Sequence, residues 1–161
     1  MPRWKAYCES KVLHIAYGDV EHVVPKSVRR DLTFGWTNLT LACDICNTNK
    51  GDFVGDHDRL IDPYRTEPLD HFNILGPIIL AKTGDGDGKI TELELDLNRI
   101  ALLERRTERL KALRELFDTI STSQDQDVKE SLRRDFEQNE IANDKEYAAF
   151  AREFYRHLQQ Q

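Results

Sequence analysis

An acid and an imidazole stand side by side at Glu21-His22, within the stretch GDVEHVVPKS (18–27). Downstream, WTNLTLACDICNTNKGD (36–52) brings Asn38, a Cys43-x-x-Cys46 pair, Asn47 and Lys50 into one short segment. Together these side chains suit phosphodiester hydrolysis. That reaction needs a base to activate water, stabilisation of the leaving oxygen, neutralisation of phosphoryl charge and an in-line arrangement. His22, neutral near pH 7, can take the proton from water. Glu21, on the opposite side of the strand, could hold a hard divalent cation, Mg2+ or Mn2+, to which Asn47 would offer an amide oxygen. Lys50, about one helical turn after Asn47, could contact phosphate. Asn38 can hydrogen-bond backbone on the neighbouring loop and fix His22 in place.

The cysteines raise a separate question. There are three, Cys8, Cys43 and Cys46. A C-x-x-C on a tight turn can place two thiolates on one tetrahedral ion, and a zinc site wants four ligands. Three readings stand. Zinc is held by Cys8, Cys43, Cys46 and a fourth group such as His14 or water; the knuckle has no metal and relies on packing; or the cysteines are small buried residues. Lys5 stands where the partner of a second C-x-x-C would sit.

The joint spacing Glu-His-x-x-Pro, then Trp-x-Asn-Leu, then Cys-x-x-Cys-Asn-x-x-Lys-Gly resembles the HNH nucleases, whose fold is two antiparallel strands and a helix around one metal, the ββα-metal motif. AYCES (6–10) resembles the end of that family's first zinc pair. The resemblance implies His22 as general base, Asn38 as the middle residue of the motif and Asn47 where its last histidine often stands. It implies Glu21 and Asn47 as ligands of the catalytic cation and Cys8, Cys43 and Cys46 as ligands of structural Zn2+, with Lys5 departing from the four-cysteine pattern. LIDPYRTEPLDHFNI (60–74) and GKITELELDLNRIALLERR (88–106) resemble a bacterial HNH branch found beside ATPases in anti-phage systems such as Septu and some retrons. That likeness implies a DNA substrate and an ATPase subunit as partner.

The 161 residues, with 39% apolar and 9% aromatic, suffice for a core. No apolar run reaches the length of a membrane span, and the first residues lack a signal-peptide stretch, so a cytoplasmic protein is expected. Charge is unevenly placed. Residues 1–50 carry a net +2, and the remainder a net −8. The first third could therefore face a polyanion, with Lys26, Arg29 and Arg30 as nucleic-acid contacts, and the helical tail could dock a partner.

The expected class is α+β: an N-terminal ββα-metal core with a zinc-knuckle-like turn, an irregular and partly β segment, and a C-terminal helical region. The division is placed at 1–97 and 98–161. VLHIAYGDVEHVV predicts strands over about 11–17 and 20–24 with a turn at Gly18-Asp19, and WTNLTLAC predicts a third extended run. A short helix starts at Asp44 and ends at Gly51. GPIILAK (76–82) predicts a strand to which GKITELEL could pair. Helices are expected from about 98 to 120, 127 to 140 and 144 to 159. Their apolar faces carry Ile100, Leu103, Leu110, Leu113, Phe117 and Ile120, then Leu132, Phe136, Tyr147, Phe150, Phe154 and Leu158.

Three further patterns have two readings each. TGDGDGKITELE (83–94) imitates a calcium loop, with Thr83 where Asp should stand; a glycine-rich hairpin between strands is the other reading. Asp62 and His71 could form a polar pair near the site, or Asp62 could be a turn former before Pro63. Arg105, Arg106, Arg109, Lys111 and Arg114 could face DNA, or form ordinary ion pairs with Glu104, Glu108 and Glu115. For function, the rival to a nuclease is a zinc-knuckle adaptor that binds a partner or nucleic acid without cutting it.

Overall fold

Gly18 to Val24 is rich in β-branched side chains, and among the described residues its partner is LTLAC, some twenty residues on. The computed structural model describes residues 7–10, 18–55, 59–62 and 65–160. In it β1 (Gly18–His22) pairs antiparallel with β2 (Leu39–Cys43), in a register that sets Glu21 opposite Thr40 and His22 opposite Leu39. Gly18 and Asp19 are thus strand residues facing Cys43 and Ala42, rather than the expected turn. The other half of the expected hairpin, 11–17, lies outside the described residues. Directly opposed residues share a face. Glu21 and Thr40 are accordingly both buried, while His22 takes the other side.

β2 runs straight into α1 (Asp44–Lys50). Cys43 is the N-cap, its Sγ accepting the Cys46 amide at 3.2 Å. Gly51, at φ +48, ends the helix where a side chain would be strained. Two strands and a helix therefore form the compact ββα unit expected, and the overall class is α+β.

Next come α2 (Pro68–His71), β3 (Phe72–Leu75) and β4 (Ile78–Ala81), the last two an antiparallel hairpin turning at Gly76-Pro77. The strand in GPIILAK is present, but its partner is FNIL. GKITELEL lies mostly in α3 (Gly86–Glu94). The glycine-rich stretch before it is a helix start rather than a hairpin or calcium loop. Asp85 Oδ1 accepts the Gly88 amide at 2.7 Å, and its Oδ2 meets His71 Nδ1 at 2.7 Å. A Cβ on Gly88 would come within 3.0 Å of the His71 carbonyl oxygen, so the close approach of α3 to α2 requires glycine. The Gly88 amide first, and His71 after it, hold the Asp85 carboxyl below its ordinary value.

Three helices complete the fold: α4 (Ile100–Thr122), α5 (Gln126–Asn139), capped by Asp125, and α6 (Ala148–Leu158). The buried stripe of α4 is Leu102, Arg106, Leu110, Leu113 and Ile120, at helical spacing. Ile100 and Leu132, expected on apolar faces, are exposed. Arg106 is the unexpected member. Its guanidinium donates to the carbonyls of Leu97 (2.8 Å) and Pro77 (3.1 Å) and lies 4.1 Å from the Phe150 ring centroid. It thereby joins the β3–β4 turn, α4 and α6. Burial pushes its pKa down to about 10, so it stays charged near neutral pH. The other arginines of the stripe make ion pairs, Arg105 with Glu108, Arg114 with Asp118 and Arg109 with Glu140. One apolar core runs from Cys8 through Leu95, Leu102 and Leu113 to Tyr155. Glu9 fastens its two ends. The Glu9 carbonyl accepts the Tyr147 amide at 3.0 Å and its carboxylate the Ala149 amide at 3.1 Å. Among the described residues no helix is long and apolar enough to cross a membrane.

Replacing Asp85 by Ala removes a helix cap and is expected to destabilise the fold by about 1 kcal/mol at pH 7, measured by urea denaturation, whereas Asp85→Asn keeps most of it. Because the folded-state carboxyl value is depressed, this contribution is fully present above about pH 4 and is lost as acid protonates Asp85, so the difference between wild type and Asp85→Ala should shrink as the pH falls further.

Candidate active site

His22 ends β1 half-buried, and its Nε2 lies 2.9 Å from the carbonyl oxygen of Thr33. A carbonyl only accepts, so Nε2 carries the proton, and a neutral ring then has its lone pair on Nδ1. The loop that supplies this carbonyl is held by Asn38, which is buried at the end of the Trp36–Asn38 turn. Asn38 Oδ1 accepts the Val24 amide at 2.8 Å, and its Nδ2 donates to the carbonyls of Val24 (3.0 Å) and Leu32 (3.3 Å). Its own carbonyl accepts the Val23 amide at 2.9 Å. One side chain therefore clamps both ends of the loop that follows His22, one residue short of the carbonyl that orients the imidazole. Beside Thr33 opens a cleft of about 450 Å³ lined by Lys26, Ser27, Arg30, Thr33 and Asp52. Lys26 and Arg30 are exposed there. Arg29 is exposed too, but pairs with Asp31 at 2.7 Å.

Glu21 and Lys50 are brought together, in a way their spacing did not suggest. Lys50 was expected to reach phosphate; instead its side chain is 1% exposed and its Nζ lies 2.5 Å from Glu21 Oε1. The same ammonium donates to the His22 carbonyl at 2.8 Å, and Tyr7 donates its hydroxyl to Glu21 Oε2 at 3.0 Å. The physical reason is burial. A carboxylate facing inward from β1 needs a counter-charge, and the inward face of the last turn of α1 supplies one. Burial first, then the neighbouring Glu21 carboxylate, raise the Tyr7 phenol well above its ordinary value, which keeps it a donor. Glu21, expected as a ligand for a divalent cation, thus has both oxygens engaged and its charge balanced by an ammonium. Asn47 sits three residues before Lys50 on α1, half-buried. In this arrangement Glu21 and Asn47 do not fit a hard cation, which would have to displace Lys50.

The three cysteines meet. Their Sγ atoms all lie within 4.8 Å of one another, with Cys8 and Cys43 at 3.9 Å, and all three residues are buried. A tetrahedral zinc with sulfur at about 2.3 Å sets its ligands about 3.8 Å apart, so the cluster is compatible with zinc. Hydrogen bonding with Cys43 and then Cys46 holds the Cys8 thiol well below its ordinary value, while hydrogen bonding with Cys43 and then Cys8, together with burial, pushes Cys46 up. His14 and Lys5 lie outside the described residues. Among the described residues Ser10 Oγ meets Cys8 Sγ at 3.0 Å, and Arg99, which the sequence gave no reason to single out, stands on the other two sulfurs. Its Nη2 reaches Cys43 Sγ at 3.4 Å and Cys46 Sγ at 3.6 Å, and its Nη1 is held by the carbonyls of Leu95 (3.2 Å) and Asp96 (3.1 Å). Burial works against the guanidinium charge, but the sulfurs of Cys46, Cys8 and Cys43 outweigh it and hold the pKa above the usual value. Asp62 and His71, weighed as a pair, are apart in bonding: His71 meets Asp85, and Asp62 meets Arg65 at 3.2 Å.

Residues 6–53 match the family model for HNH endonuclease. This is an HNH segment. It contains His22, Asn38, the Glu21–Lys50 pair and all three cysteines, and Arg99 reaches it from outside. The chain is also similar to the Septu protein PtuB of Bacillus thuringiensis, 32% identical over 95 residues, which are 58% of this chain and 36% of that protein. The match therefore spans little more than a third of the relative's length.

Two measurements follow for the HNH segment. Lys50→Met and Glu21→Gln should each destabilise the fold by about 3–5 kcal/mol in denaturant titration, with the double variant losing less than the sum, since each single change leaves a buried group without its partner. Elemental analysis should return one zinc per chain, removed by Cys43→Ser, and Arg99→Ala should release that zinc to a chelator about tenfold more readily.

Proposed function

We propose that this chain is an HNH-type endonuclease that hydrolyses DNA phosphodiester bonds. The observation that carries the reading is the His22 imidazole, its Nε2 proton committed to the Thr33 carbonyl and its Nδ1 left to accept a proton. In the proposed step Nδ1 takes the proton of a water as that water attacks phosphorus, the bond from phosphorus to the leaving sugar oxygen breaks, and that oxygen takes a proton from solvent. Lys26 and Arg30, lining the adjacent cleft, balance the charge of the phosphate chain. Asn38 is a positioning residue. By holding Val24 and Leu32 it keeps the Thr33 carbonyl where it orients the ring. The Lys50–Glu21 pair fixes the end of β1 through the His22 carbonyl. The requirement for Mg2+ or Mn2+ rests on the likeness to HNH nucleases; because Glu21 is neutralised by Lys50, no step is assigned to that ion.

The Septu-like portion extends the proposal to anti-phage defence beside an ATPase subunit, with the helical region, α4 to α6, as the docking element. The second reading, an adaptor that keeps the ββα unit without cutting, is favoured by one observation, the ammonium of Lys50 where a ligand carboxylate was expected to be open.

A plasmid-nicking assay with Mg2+ or Mn2+ separates the two. The wild-type chain is expected to nick, and His22→Ala to lose at least about a hundredfold, the usual worth of a general base. Intact plasmid after incubation with wild type, alone and with the ATPase subunit, would favour the adaptor.

A further inference from the structure

Phe34 is 93% exposed and Trp36 is 72% exposed, with Val28 at 51% on the same loop. Aromatic side chains bury about 150–250 Å² each when packed, so leaving two of them in water forgoes stabilisation that this small fold could use. The exposure does not come from a loose loop. The Gly35 amide donates to the Leu32 carbonyl at 3.0 Å, the Asn38 amide donates to the Gly35 carbonyl at 2.8 Å, and Asn38 Nδ2 holds the Leu32 carbonyl. A Cβ at Gly35 would come within 3.3 Å of the Leu32 oxygen, so the backbone between the two rings is tightly folded. The rings are presented from a pinned backbone.

Their neighbours decide what they suit. Lys26 and Arg30 line the open cleft beside Thr33, next in sequence to Phe34. Thr33 is also the residue whose carbonyl holds His22. Exposed rings interleaved with exposed cations match a strand whose bases stack while its phosphates meet positive charge. A duplex offers the phosphates but hides the faces of its bases.

We propose that Phe34 and Trp36 form a stacking platform that selects nucleic acid with unpaired bases at the cleft beside His22. The proposal rests on the nuclease reading for what happens after binding, but stacking is measurable without cutting. It gives the HNH segment a substrate class: single-stranded or locally opened strands, held by base stacking and backbone charge without sequence readout. An unpaired base on this platform lies one residue from the carbonyl that aims the proton acceptor, so engagement of the loop and alignment of the base are mechanically linked.

The test uses the full chain with His22→Ala, so that nothing is cut, and Trp4→Phe, so that only Trp36 emits. It is titrated with a twelve-nucleotide single-stranded DNA, the same sequence as RNA, and the DNA duplex, at one salt concentration. Trp36 emission is expected to be quenched by the single strands, with affinity at least about tenfold above that for the duplex. Phe34→Ala and, by anisotropy of labelled oligonucleotide, Trp36→Ala should each weaken single-strand binding about tenfold. The DNA and RNA arms show which backbone is preferred. Both side chains point into solvent, so alanine leaves the core intact. Equal affinity for duplex and single strand would overturn the proposal, as would alanine variants that bind like their parent. So would Trp36 emission that responds to an ATPase subunit and to no oligonucleotide, which would make the patch a protein interface. Quenching by single strands from a chain whose wild type cuts nothing would leave the platform standing and remove the nuclease reading. Cutting that the aromatic variants retain on every substrate would do the reverse.

Discussion

A single ammonium, that of Lys50, holds the ββα unit together at the end of β1. It is buried with the Glu21 carboxylate and also donates to the His22 carbonyl, so α1 and the end of β1 move as one body. Two buried charges are costly unless each finds its partner in good geometry. That requirement has a structural effect: any shift of α1 along β1 would strip Lys50 from Glu21, so the register of strand and helix is strongly specified. Tyr7 completes the shell by giving Glu21 a second donor. The imidazole of His22 emerges from the opposite side of the strand, and its orientation is set by a different contact, the Thr33 carbonyl. Backbone position and ring orientation are thus governed separately, one by an ion pair and the other by a clamped loop.

The HNH segment does not stand alone. Its three thiols meet at one point, and a guanidinium that reaches two of them, Arg99, belongs to the residue just before α4. Seven residues on, Arg106 ties the same helix to the β3–β4 turn and to the Phe150 ring of α6. The two arginines join pieces that apolar contact alone would leave free to slide. Arg106 is buried and Arg99 half-buried, and the groups their guanidiniums meet are sulfur and carbonyl for Arg99, carbonyl and ring face for Arg106.

The parts of the structure that were legible beforehand are those written in short spacing. Cys43-x-x-Cys46 with Gly51 marks a capped helix of one or two turns, and α1 is that helix. The apolar periodicity of 98–122 marks α4, although the buried stripe includes Arg106 and leaves Ile100 out. What was misread depended on partners far along the chain. VEHVV looks like half of a local hairpin because nothing in it says that LTLAC will lie beside it. GKITELEL carries Ile90, Leu93 and Leu95 at intervals that suit either a strand or a short helix. The cap from Asp85 and the close approach at Gly88 decide for helix. Lys50 is the sharpest case. A lysine after a helix turn reads as solvent-facing unless one knows that a carboxylate waits beneath it. Arg99 is 53 residues from Cys46, and no spacing rule connects them.

The hydrogen bonds that Glu9 accepts from Tyr147 and Ala149 join residues far apart in the chain, the longer of them over 140 positions. Contacts of such separation close late, because the loop between them must be ordered first. During translation, therefore, the strip carrying Cys8 has no dock until α6 has left the ribosome, and the HNH segment spends that interval without the wall against which it packs.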